Sequence, residues 1–141
     1  MKQREGLVVR RGDLFVIDLG PTKEGNPLLR PVLVIQNDFG NCFCDTIIVV
    51  PLTLAYKAKK LFFSVLIKRG TETGLCGDYV ALFSQIRTLS KGKFIPENRL
   101  GRLDDSTMER VDRAIELSLG LSTIQKLHKR YQNGQRKQIT S

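Results

Sequence analysis

Arg30, Thr53, Gln85 and Arg87 are the residues whose types and settings best suit chemistry in this 141-residue chain. Arg30 precedes Pro31, whose ring biases the preceding residue toward extended backbone, so its side chain is expected at the start of a strand. A planar guanidinium there suits bidentate capture of phosphate. Thr53 ends the run Thr46-Ile-Ile-Val-Val-Pro-Leu-Thr53, and its hydroxyl can both donate and accept. Ser84-Gln-Ile-Arg-Thr88 places an amide and a second guanidinium on another short apolar segment. Lys57 and its neighbours in Ala55-Tyr-Lys-Ala-Lys-Lys60 set an aromatic ring among three lysines, a pattern that suits base stacking and phosphate neutralisation, or an ordinary solvated loop. Taken singly, each residue has a plain alternative: a solvated loop arginine, or a threonine closing a strand.

The rest of the composition removes most competing chemistries. The chain has one histidine, His128, in a polar tail, and no tryptophan. A Ser-His-Asp or Cys-His site would have to draw its base from that tail. Cys42, Cys44 and Cys76 are odd in number, and the close pair is spaced C-x-C rather than C-x-x-C, which argues against a zinc or redox motif. No Gly-x-x-x-x-Gly-Lys loop, Gly-x-Gly-x-x-Gly fingerprint or pair of carboxylates at metal-binding spacing is present. No metal or other cofactor is called for. Reduced thiols, the lack of an apolar h-region behind the N-terminus and the lack of a membrane-length apolar run point to a cytoplasmic protein with no membrane partner.

Elements that could position these residues follow from periodicity and turn signals. The spacing predicts strands at Leu14 to Asp18 and at about 31–36, 46–51, 61–67 and 78–83, with a short sixth through Gln85 to Arg87. Residues 19–29, with two Gly, two Pro and an Asn, predict a loop. Met108, Val111, Ile115 and Leu119 recur at helical spacing and predict a helix from Asp105 to Leu119, with Ser106-Thr-Met-Glu109 matching the capping-box template and Gly120 as the stop. A second helix is expected at about 122–131. Strands followed by a helix predict an α+β domain, mainly β, built as a curved antiparallel sheet or small barrel with a C-terminal helix. Charge is uneven: residues 1–120 hold 18 Lys+Arg against 14 Asp+Glu, and the remaining five cations, Lys126, Lys129, Arg130, Arg136 and Lys137, lie in a tail without an acid. Such a tail favours polyanions or an acidic partner, or is a solvated terminus.

In order, Arg10-Arg-Gly-Asp13, Arg30-Pro-Val-Leu-Val-Ile-Gln-Asn-Asp38, Val49-Val-Pro-Leu-Thr53, Gln85-Ile-Arg-Thr88 and a helix ending Leu117-Ser-Leu-Gly-Leu121 resemble the MazF/PemK/Kid family of toxin endoribonucleases. The resemblance covers residues 10–121. It implies an SH3-like barrel, a homodimer, metal-independent cleavage of single-stranded RNA at short sequences, and restraint by an acidic cognate antitoxin. On that basis 1–121 is the toxin domain and 122–141 a basic C-terminal extension. The Arg-Pro-Val match makes Arg30 the catalytic arginine, the Pro-Leu-Thr match makes Thr53 the catalytic threonine, and Gln85 is the RNA-holding glutamine. Arg87 either touches RNA or is a buried structural arginine.

Two departures stand out. The family loop commonly reads Ser-Glu-Gln-Gly-Gly-x-Arg-Pro, whereas Glu24-Gly-Asn-Pro-Leu-Leu29 leads into Arg30 here, and Ser84 stands where the family often has an acid. Glu24 is kept as an RNA-contacting residue and as a substitute base, because arginine is a poor proton acceptor. Two other classes fit the same architecture: a non-catalytic RNA-binding barrel, and a gyrase-poison toxin, whose terminal tryptophan this chain lacks.

Overall fold

The computed structural model describes residues 7–58, 61–121 and 129–134. In chain order the elements are β1 (Asp13–Pro21), β2 (Pro27–Val34), α1 (Asp38–Phe43), β3 (Thr46–Leu54), β4 (Ser64–Ile67), β5 (Tyr79–Leu82), β6 (Arg87–Ser90), β7 (Arg99–Arg102) and α2 (Asp105–Leu119). The strands form one antiparallel sheet in the order β4-β5-β3-β2-β1-β7, and β6 also pairs with β3.

β3 organises the curl of this sheet. One edge pairs with β2, while the other pairs first with β6, from Thr46 to Val49, and then with β5, from Leu52 to Leu54. Pro51 falls in the gap between the two partners, where its missing N–H disrupts neither ladder. Both faces of the strands are buried. Leu14, Leu33, Val50 and Leu52 join Val65, Ile67, Ala81 and Phe83 in one cluster, closed by Val111 and Ala114 of α2. The alternate residues Phe15, Ile17, Val32, Val34, Ile47 and Val49 form a second cluster with Leu89 and Phe94. Burial on two sides explains why Val32-Leu-Val-Ile35 reads as an unbroken apolar run rather than an alternating one, whereas Ile48 in Ile47-Ile-Val-Val50 is exposed.

Several expectations are corrected. Most of the 19–29 loop is instead a β-hairpin: β1 continues to Pro21, β2 begins at Pro27, and these two prolines oppose each other. Its turn is closed by Thr22, whose carbonyl accepts from Gly25 N–H at 2.9 Å and whose hydroxyl accepts from Asn26 N–H at 3.2 Å. Gly20 and Gly25 supply the positive φ values of 111° and 83° that the bulge and the turn require. The expected strand at 61–67 starts at Ser64, and the expected sixth strand is Arg87–Ser90, with Gln85 ending a 3₁₀ turn at Phe83–Gln85.

Helix α2 has the predicted bounds, but its N-cap is Asp104 rather than Ser106, because Asp104 accepts from the Thr107 amide at 2.7 Å. Gly120 closes it in the left-handed conformation. Helix α1 and strand β7 were not anticipated. Of the second helix, 122–128 lie outside the described residues, and 129–134 are helical.

Candidate active site

Arg30 and Thr53 are 23 positions apart in sequence, and sheet register brings them together. β2 and β3 pair Val32 with Pro51, Leu33 with Val50 and Val34 with Val49. Two steps further, Arg30 stands across from Thr53. The contact is direct: Arg30 Nη2 donates to Thr53 Oγ1 at 2.5 Å. The same guanidinium donates to the Leu52 carbonyl, from Nε at 3.2 Å and Nη2 at 3.0 Å. Three contacts from one planar group fix its orientation, while both side chains remain only partly buried.

Local sequence explains why a guanidinium occupies this place. Ile35 N–H donates to the Ile48 carbonyl, so pairs exchanging hydrogen bonds recur every second residue, at Leu33 with Val50 and then at Pro31 with Leu52. Pro31 has no N–H to give. The Leu52 carbonyl therefore lacks its strand donor, and Arg30 supplies one from its side chain. A buried or half-buried carbonyl left without a donor would be costly, so the substitution both satisfies the sheet and locks the arginine.

The pair borders a cleft of about 400 Å³ lined by Leu28, Leu29, Arg30, Pro31, Leu52, Thr53, Leu54, Lys57 and Tyr79. Its polar lining is cationic and hydroxylic, with Arg30, Lys57, Thr53 and Tyr79, and it holds no carboxylate or imidazole. Lys57 is exposed and also lies over the Tyr56 ring, 5.5 Å from its centroid. Such a site can bind an anion, orient it through the guanidinium and hydroxyl, and stabilise charge that develops on it. Among the described residues, no group of three or more His, Cys, Asp or Glu side chains is placed to hold a metal ion.

The model of the PemK-like, MazF-like toxins of type II toxin–antitoxin systems matches residues 10–119. The chain belongs to this family. Among curated relatives, it is 40% identical over 118 residues to the endoribonuclease EndoA of Bacillus subtilis (strain 168), covering 82% of this chain and 97% of that protein. It is 39% identical over 120 residues to the endoribonuclease MazF of Staphylococcus saprophyticus, covering 83% and 96%.

Solved structures agree on the fold. A mycobacterial endoribonuclease superposes with a TM-score of 0.64 at 24% identity, over 84% of this chain and 98% of that one. MazF from Deinococcus radiodurans superposes with a TM-score of 0.63 at 21% identity, over 82% and 99%. The expected mainly β, α+β architecture with a C-terminal helix is thus that of the MazF-like toxins.

The other sequence-nominated residues of this MazF-like chain do not join the cleft. Gln85 is exposed at the end of its 3₁₀ turn. Arg87 opens β6 across from Val49, four residues from Thr53 and so roughly 13 Å away along β3. It is exposed, which removes the buried structural reading. Glu24 lies in the exposed tip of the β1–β2 hairpin and is not among the lining residues. Sequence reasoning missed the Leu52 carbonyl and the apolar lining from Leu28, Leu29, Leu54 and Tyr79. The first was readable from Arg-Pro adjacency once a partner strand was assigned; the second in part from Leu28, which with Pro27 stands where the family loop carries its paired glycines.

Among the described residues, no helix is long and apolar enough to cross a membrane.

Proposed function

We propose that this toxin is an endoribonuclease that cleaves single-stranded RNA in the Arg30–Thr53 cleft, using the substrate's own 2′-hydroxyl as nucleophile. The observation that carries the reading is the guanidinium held against both the Thr53 hydroxyl and the Leu52 carbonyl, a preorganised donor pair facing an open, cationic cleft. Attack by O2′ on the adjacent phosphorus breaks the bond to O5′ and yields a 2′,3′-cyclic phosphate and a 5′-hydroxyl. Arg30 offsets charge on the phosphorane and protonates the departing O5′, and Thr53 donates to a non-bridging oxygen. The proton leaving O2′ goes to a group outside the cleft lining, with Glu24 of the hairpin tip or a residue of a second subunit as the acceptor. RNA bound here extends toward Lys57 on one side and toward Gln85 and Arg87 along β3 on the other. Nothing in this scheme requires a metal.

The chain acts as a homodimer restrained by an acidic antitoxin. One similar solved structure is a mycobacterial endoribonuclease in complex with its cognate antitoxin, with a TM-score of 0.60. The net charge of +9 suits an acidic segment that folds across the RNA-binding face.

The test is incubation of purified protein with a long mixed-sequence RNA in EDTA, with cut sites and end groups mapped. Cleavage leaving cyclic phosphate and 5′-hydroxyl ends is expected. Loss of cleavage in EDTA, or 5′-phosphate ends, would refute the mechanism, and binding without cleavage would make this a non-catalytic RNA-binding barrel.

A further inference from the structure

The β1–β2 hairpin carries an apolar surface into the cleft that the proposed chemistry does not use. Continuing the β2–β3 register sets Leu29 across from Leu54, and Leu54 in turn pairs with Tyr79 on β5. Two leucine side chains and the Tyr79 ring thus stand in a row on adjacent strands. The pleat sends this row to the other side of the sheet from Arg30 and Thr53. Paired residues between β2 and β3 end at Val32 and Pro51, where Pro31 has no N–H to continue the ladder, and both sets border the same cleft.

The row is fixed in place. Asp18 Oδ1 accepts from Gly20 N–H at 3.0 Å and from Leu28 N–H at 3.1 Å, tying the base of the hairpin across both strands. Pro27 begins β2 opposite Pro21, so two rings with fixed φ flank the turn. Yet Leu29 remains 65% exposed. An ordered, solvent-facing leucine beside a phosphate-binding pair is unexplained by packing within the chain.

We infer that Leu29, Leu54 and Tyr79 form a preformed subsite for the unpaired base of one nucleotide adjoining the scissile phosphate, with Lys57 countering the next phosphate. The inference rests on the Arg30–Thr53 cleft being the RNA-cleaving site. A base has two apolar faces, so a leucine–tyrosine surface takes it by burial and stacking. The leucines provide no hydrogen-bonding side-chain group to read base edges. With the Tyr79 hydroxyl as the one hydrogen-bonding group of the three, the subsite demands that a base be present more than it demands which base.

The test uses the shortest single-stranded RNA cut by the wild-type protein, together with copies in which each nucleotide flanking the scissile phosphate is made abasic in turn. The variants are Leu29→Ser, at a solvent-facing position whose folding is checked by thermal melting, Leu29→Phe, and Arg30→Ala. Wild-type protein is expected to lose about tenfold in kcat/KM at one abasic position. Leu29→Ser should lose a similar factor on intact RNA and little more on that abasic RNA, whereas Leu29→Phe should retain activity. Non-additivity of this kind marks direct contact. Losses that multiply, or a Leu29→Ser protein that cleaves intact RNA like wild type, would overturn the subsite. Full cleavage by Arg30→Ala would instead overturn the active-site reading beneath it, so the two failures are distinguishable.

Discussion

Pro31 and Leu52 oppose each other at a position where β2 and β3 would normally exchange hydrogen bonds, and the guanidinium of Arg30 donates to the Leu52 carbonyl that Pro31 cannot serve. Sheet closure and orientation of the proposed catalytic group are thereby one interaction. Pro31→Ala restores a competing N–H. The new ladder bond contributes about 1 kcal/mol net, and the looser unfolded chain costs roughly 0.4–1 kcal/mol, so the two nearly cancel. The melting temperature should hardly move while cleavage falls roughly tenfold to a hundredfold, as Arg30 loses its anchor. Equal losses in stability and activity would contradict this coupling.

Arg30 itself should matter more to turnover than to folding. Arg30→Ala removes the side-chain donor from the carbonyl of the buried residue Leu52, so stability falls by about 1–3 kcal/mol. Cleavage should fall by about 10²–10³ if the guanidinium meets charge that develops in the transition state. Arg30→Lys should recover little, because one ammonium cannot span the carbonyl and the hydroxyl in the same geometry. Initial rates over a range of RNA concentrations separate the cases: the loss should lie in kcat rather than KM.

Thr53→Val removes the hydroxyl and preserves the branched shape that suits a strand. Cleavage should drop roughly tenfold to a hundredfold with little change in stability, since the lost bond is partly exposed. Thr53→Ser should keep most activity, because the donor survives. A Thr53→Val protein as active as wild type would leave Arg30 without its proposed partner.

What the sequence disclosed followed the range of the interactions involved. Helix α2 was legible because its apolar spacing, acidic start and Gly120 stop all act within one element. β3 was legible as a β-branched run, although its last residues were not, since Pro51 looks like an end until its gap between β6 and β5 is seen. The hairpin at 19–29 was hidden because its prolines and glycines occupy the tolerated pair and turn positions of a ladder tied by the Asp18 side chain. α1 has only six residues, too few for periodicity, and is stabilised by Asn37 accepting from Gly40 N–H. β7 depends on tertiary contact alone: a Cβ on Gly101 would lie 2.1 Å from the Glu72 carbonyl. Arg30 and Thr53 could be nominated singly and through family resemblance, but their juxtaposition needed the register. Nothing local could show that Gln85 and Arg87 lie outside the same cleft.

The Arg-Gly-Asp sequence at 11–13 is structural. Asp13 is fully buried and accepts from Arg10 N–H at 2.8 Å, Arg102 Nη1 at 3.0 Å and Arg99 Nη2 at 3.2 Å, clamping β7 to the start of β1. Breaking a buried pair by removing one partner is usually severe, but Arg99 and Arg102 are 42% and 44% exposed and can rehydrate. Asp13→Ala is therefore expected to cost about 2–3 kcal/mol, toward the lower side of that range of effects. Urea denaturation measures it. Cleavage per folded molecule should be unchanged, because the clamp lies outside the cleft lining.

Asp104 gives the fold a defined acid sensitivity. The Thr107 side chain and backbone amide, in that order, hold its carboxyl below the ordinary carboxylate value, against an opposing desolvation and with a lesser contribution from Arg110. A lowered folded-state pKa means that the unfolded chain takes up the proton first as pH falls. The contribution is present in full above the ordinary carboxylate range and is lost as pH drops through the lowered value. Asp104→Asn keeps a capping oxygen but removes the charge at the helix N-terminus. Wild type should melt above Asp104→Asn at neutral pH, and the gap should narrow as pH falls below the ordinary carboxylate range into strong acid. Asp104→Ala, which removes the cap altogether, should melt below Asp104→Asn at neutral and acid pH alike. A gap between wild type and Asp104→Asn that persists unchanged in acid would show that the carboxylate's charge contributes nothing to the cap.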